Sequence, residues 1–65
     1  TAVDVCQEIV RSGLKDKSSR VRRKAADWAH RLLLKGVVTD LLEALKVESN
    51  QETSDVMGAA VLVLR

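Results

Sequence analysis

Sixty-five residues make one small domain at most, and a chain of that size buries only about 60% of its unfolded surface. The single cysteine leaves no disulfide to reinforce it, and with no proline and Trp28 as the only aromatic residue a β-sandwich is disfavoured. At 46% hydrophobic the chain is too apolar for disorder, and a net charge of +2 is too small to mark a nucleic-acid protein by itself.

These limits favour an all-α fold. No apolar run approaches the ~18 residues of a membrane span, and no signal peptide is visible. A soluble protein is expected, and a lone cysteine suits a reducing, intracellular setting, cytoplasmic or nuclear.

The first helix is expected over about 2–15, where Val3, Cys6, Val10 and Leu14 recur at helical spacing and Val5 and Ile9 widen the stripe. Thr1 and Asp4 have capping-box spacing, and Gly13 weakens the far end. Cys6 lies on the apolar stripe, where a small packing residue is a better reading than a reactive thiol.

The second helix is expected over about 19–35, capped by Ser18 or Ser19. Val21, Ala25, Trp28, Ala29 and Leu32 fill an arc about 100° wide, which predicts that all five, Trp28 included, face the core. Lys35 then supplies a cation in the last turn, and Gly36 a residue for a left-handed cap.

The third helix is expected over about 38–47, with Val38, Leu41, Leu42 and Leu45 as its apolar face and Asp40 and Glu43 toward its N-terminal end. Few residues separate it from the second helix, which predicts an antiparallel hairpin between the two. The fourth is expected over about 52–64, started by Ser49 with Glu52 at capping-box spacing, or by Ser54. A strand is locally conceivable over 61–64, but Ala59 and Ala60 favour a buried helix.

The chain repeats itself. Val21-Arg22-Arg23-Lys24-Ala25-Ala26 lies over Val56-Met57-Gly58-Ala59-Ala60-Val61 at a shift of 35, and Val10, Gly13, Leu14 and Lys15 lie over Leu41, Ala44, Leu45 and Lys46 at a shift of 31. Each helix pair is too thin to bury its own face, so stacking would supply the core.

Leu14-Lys15-Asp16, followed by Val21-Arg22 and Ala25-Ala26, resembles the HEAT-repeat pattern of an aspartate, four residues, valine-arginine and a small pair. In the second copy Gln51 and Met57 stand where aspartate and arginine would be, and that unit resembles an armadillo repeat more closely. The resemblance implies about four helices as two stacked antiparallel hairpins, a short excerpt of an α-solenoid. It implies that Asp16 and Arg22 form a structural ladder between neighbouring repeats. The implied function is a non-catalytic scaffold or protein–protein interaction module, binding proteins or adjoining repeats and occasionally nucleic acid. The wheel adds that Arg22 sits at the edge of the apolar arc, where its fork can reach a carboxylate.

Catalysis has no visible foothold. His30 lies opposite the apolar arc with no hydroxyl to activate, and reads as a solvated surface residue. There is no glycine-rich phosphate loop, paired-carboxylate motif or metal-ligand spacing, so no catalytic residue, cofactor or metal is expected. The candidate partner-binding residues are cationic. Arg20, Lys24, Arg31 and Lys35 gather within about 60° on the wheel, beside Arg22 and Arg23 and diluted by Asp27. Such a stripe is read first as a solvated face, then as a contact for an acidic protein surface, and last as a nucleic-acid contact. With Trp28 in the core, no base-stacking platform is expected. Phosphate added to Ser18 or Ser19 would have arginines to pair with.

Two alternatives stand beside the scaffold reading. One is a basic helical module on nucleic-acid backbone. The other is a compact four-helix signalling adaptor, with the last helix packed across the first and Cys6 against Leu62. The apolar stretch 61–64 predicts further repeats, a bound partner or self-association.

Overall fold

Each segment with a helical apolar repeat forms a helix in the computed structural model, which describes residues 2–65. The helices are α1 (Ala2–Leu14), α2 (Ser19–Arg31), α3 (Val38–Val47) and α4 (Gln51–Leu64), with a 3₁₀ turn at Lys35–Val37 running directly into α3. No strand occurs among the described residues, so 61–64 are helical. The capping role expected of Thr1 lies outside the described residues.

The helix starts depart from the expected caps. Ser18 stands at the N-cap of α2 in extended backbone, but its hydroxyl makes no capping bond. The Asp16 carboxylate instead accepts from the Ser18 N–H at 2.8 Å, tightening the α1–α2 loop into an Asx-type turn. At α4 neither Ser49 nor Ser54 is the cap. Asn50 is, its Oδ1 accepting from the Thr53 N–H at 3.0 Å.

The end of α2 is corrected most. The helix stops at Arg31, not Lys35, and no glycine has a positive φ; the left-handed residue is Leu33, at φ 52°. The Leu34 N–H donates to the Ala29 carbonyl at 3.0 Å and the Leu33 N–H to the His30 carbonyl at 3.3 Å, the paired bonds of a Schellman motif. Leu34 is buried as the hydrophobic residue that closes this motif. Its burial offsets the roughly 1–2 kcal/mol that a left-handed leucine costs.

The same turn overrides the expected α2/α3 hairpin. Leu33 and the 3₁₀ turn redirect the chain, so α2 packs most extensively on α4 and next on α1, while α3 packs on α4 and touches α1. The Cα radius of gyration is 10.2 Å, close to the ~11 Å of a compact chain this long.

The core draws on every element. Val10 and Leu14 of α1 meet Ala25, Ala26 and Ala29 of α2, then Val37, Leu41, Met57, Ala60, Val61 and Leu64. Because α2 is held between α1 and α4, it contributes only alanines to this core. A Cβ placed on Gly13 would lie 2.9 Å from the Ala25 Cβ, a measure of how closely α1 and α2 approach. The expected core arc is thus only half right: Val21, Trp28 and Leu32 remain 42%, 49% and 46% exposed. Cys6 is half-buried and packs against the core.

Candidate functional site: an apolar groove and the seam behind it

The apolar residues left out of the core collect in one place. Cys6, Ile9, Val10 and Gly13 of α1, Val21, Lys24, Ala25 and Trp28 of α2, and Leu32 just past its end line a groove of about 460 Å³. The close approach at Gly13 and Ala25 fixes its floor. Ile9, 66% exposed, and Trp28 stand as its walls. No α4 residue lines the groove, and α2 meets α4 through Ser19 and Arg23 instead. An exposed apolar groove of this kind accommodates aliphatic or aromatic side chains, with Lys24 as the one charge in its lining.

The cationic stripe is shorter than the sequence suggests. Arg20, Lys24, Arg31 and Lys35 are all exposed, but Lys35 lies in the 3₁₀ turn beyond Leu33 and leaves the helical register. The Arg31 Nε donates to Asp27 Oδ2 at 2.9 Å, so Asp27 offsets that cation as expected. Lys24 lines the groove with Trp28, and Arg20 lies one turn earlier on α2, exposed and outside that lining.

On the opposite side of α2, charged side chains tie the first helix pair to the second. The Arg22 Nε donates to Glu48 Oε1 at 2.7 Å and its Nη2 to Glu48 Oε2 at 2.9 Å, a fork-to-fork pair. Its Nη1 donates to the Asp16 carbonyl at 2.7 Å. Arg22 and Asp16 are therefore in contact through Asp16's backbone, while the carboxylate reached across the seam is that of Glu48. The Glu48 side chain is 1% exposed and also accepts from the Asn50 N–H. The Arg22 hydrogen bonds hold the Glu48 carboxyl below its ordinary pKa despite burial, and Glu48 in turn raises that of Arg22.

Arg11 makes a second tie, donating to Asp40 Oδ2 at 3.0 Å, to the Gly36 carbonyl at 3.1 Å and to Glu8 at 3.3 Å. Its pKa is raised, chiefly by the bond to Asp40. Arg23 pairs with Glu52, and the buried Thr53 donates its hydroxyl to the Ser19 carbonyl at 3.2 Å. A cleft of about 560 Å³ runs along this seam, lined by Arg11, Lys15, Asp16, Arg22, Asp40, Glu43 and Glu48 among others. Cations and carboxylates alternate along it, and Arg11 and Arg22 are committed to holding the helix pairs together.

Sequence reasoning missed Arg11, Asp40 and Glu48. Glu48 reads as one residue of a polar linker, and nothing local pairs it with a residue 26 positions away. His30 sits half-buried in the last turn of α2, where its carbonyl accepts from Leu33. Among the described residues no three His, Cys, Asp or Glu side chains group to hold a metal, and no helix is long and apolar enough to cross a membrane. No family model, curated protein or solved structure matches the chain.

Proposed function

We propose that this chain is a non-catalytic protein-interaction module, its helix pairs stacked in the manner of HEAT or armadillo repeats and its α1/α2 groove receiving apolar side chains of a protein partner. The observation that carries the reading is the groove itself: a domain with so little core leaves Ile9, Trp28 and Leu32 in the open around one depression. Scattered exposed leucines are ordinary, but a contiguous apolar patch marks an interaction surface.

The packing supports the stacked-repeat part. Arg11 meets Asp40 at a separation of 29, Arg23 meets Glu52 at 29, and Ser19 meets Thr53 at 34. Ser19 to Thr53 lies within one residue of the α2/α4 shift of 35 and Arg11 to Asp40 within two of the α1/α3 shift of 31, as expected when like units sit side by side. Arg23–Glu52, at 29, and Arg22–Glu48, at 26, fall short of 35. Helices α1 and α4, like α2 and α3, share few contacts among the described residues, which favours a stack over a bundle with the last helix laid across the first.

A second reading, contact with nucleic acid, draws on one observation. Trp28 is half-exposed beside Lys24, so a stacking face exists where the sequence offered none. The small net charge and the Asp27–Arg31 pair weigh against it.

Trp28 fluorescence tests both. Titration with a synthetic amphipathic Leu/Glu helix is expected to shift the Trp28 emission to the blue, with the effect lost in Ile9→Glu. Quenching by single-stranded or duplex DNA, falling steeply with salt, would move the assignment to nucleic acid. Silence toward both, with a second copy also leaving Trp28 unchanged, would remove the groove's role.

A further inference from the structure

We infer that the groove's partner is a second copy of this chain, which seats the outer face of its α4 there and so joins copies head to tail. This rests on the interaction-module reading and names its occupant. The outer face of α4 has a definite order along the helix. Glu52 and Asp55 lie near its start, and Ala59, Leu62 and Val63 near its end, all of them exposed. The α2 side has the matching order, with Arg20, just outside the groove's lining, and Lys24 near the helix start, Trp28 near its end and Leu32 just past it.

Set parallel, the two helices place acid on base at one end and leucine on tryptophan at the other. That parallel setting is the one the chain already uses internally. The N-terminal turns of α2 and α4 lie side by side through Thr53 and Ser19, with Glu52 on Arg23. An α4 docked from outside would therefore repeat on one flank of α2 what its own α4 does on the other. Arg23 and Glu52 are paired within the chain, which leaves Lys24, with Arg20 beside it, to meet Asp55, whose carboxylate accepts a neutral bond from Gln51 within α4. Leu62, 68% exposed, supplies the apolar anchor facing Trp28.

The contact joins two different faces, so it does not close on itself as a symmetric dimer does, and a joined pair keeps one free groove on one copy and one free α4 face on the other. That property supplies the test. Sedimentation of the wild-type chain from ~1 μM to ~1 mM is expected to show mass rising with concentration beyond 7.1 kDa. Ile9→Glu blocks only the groove and Leu62→Glu only the α4 face, and both positions are exposed enough to leave the fold intact, as circular dichroism would verify. Each variant alone is expected to stay monomeric, whereas their equimolar mixture forms a heterodimer and stops there. Lys24→Glu and Asp55→Lys are expected to weaken assembly about tenfold each, and the double reversal to restore it.

A wild-type chain that stays helical and monomeric throughout would overturn the inference. So would a Leu62→Glu chain that still dimerises, since its contact would not use the outer face of α4. If the Leu/Glu helix shifts Trp28 while the chain remains monomeric, self-stacking is wrong and the interaction module stands.

Discussion

Arg22 holds both carboxylate oxygens of Glu48, at 2.7 and 2.9 Å, and so joins the start of α2 to the linker between α3 and α4. Glu48 is sealed from solvent while Arg22 keeps one edge in water, so the pair is anchored on its acidic side. Removing only the arginine would strand a buried charge. Arg22→Met is therefore expected to lower the thermal midpoint clearly, and Arg22→Met combined with Glu48→Met to recover much of the loss. Equal loss in the single and double variants would show that the pair has no such role.

Glu48 also sets an acid limit. Its carboxyl titrates below the ordinary value of 4.5 in the folded chain. A lowered folded value means that its contribution is complete above the unfolded pKa and is lost as pH falls through the folded one. The thermal midpoint should therefore drop on acidification below about pH 4.5, and Glu48→Gln should start lower at neutral pH and respond less steeply to acid. Parallel curves for the two proteins would contradict this.

Two helical glycines should respond in opposite ways to alanine. At Gly58 a Cβ meets nothing within 4 Å, so Gly58→Ala is expected to stabilise by about 0.5–1 kcal/mol through helix propensity alone. At Gly13 the new methyl would press on Ala25, a side chain with no freedom to yield. Gly13→Ala is expected to cost roughly 1–3 kcal/mol in urea unfolding despite the same propensity gain.

Leu33 should tolerate glycine better than leucine. It is 60% exposed, so little burial is lost, and glycine adopts its left-handed backbone without a steric penalty. Leu33→Gly is expected to raise stability by about 0.5–1 kcal/mol in chemical denaturation. A decrease would mean that the side chain contributes packing not visible in its exposure.

Leu41 is fully buried and among the largest side chains that are. Leu41→Ala should cost about 2–5 kcal/mol, most of what a 65-residue domain has, and leave little helical signal at 37 °C.

How much of this was legible depends on what sets each feature. The apolar spacing of Val10 with Leu14, and of Leu41 with Leu45, places α1 and α3 within a residue or so, because amphipathic period is a local property. The end of α2 falls short of the Lys35-Gly36 pair that has the composition of a helix stop, because Leu33 takes the left-handed position and Leu34 is buried to close the turn, which the local pattern does not mark. The arc of Val21, Trp28 and Leu32 was read correctly as one face but wrongly as core. A wheel shows that residues share a side, not which neighbour covers it. The cationic stripe was legible to Arg31 and lost Lys35 with the helix end. Arg11–Asp40 and Arg22–Glu48 were invisible, since a pair distant in sequence leaves no local mark.

The polar ties described between α2 and α4 gather at one end, where Thr53 meets Ser19 and Arg23 meets Glu52, with Arg22 on Glu48 of the preceding linker, while the helices' later turns rest on Ala26, Ala29, Ala60 and Leu64. The pair is bound like a book along its spine. Its pages meet through aliphatic surface, so a small change in the angle between the two helices would part none of these ion pairs.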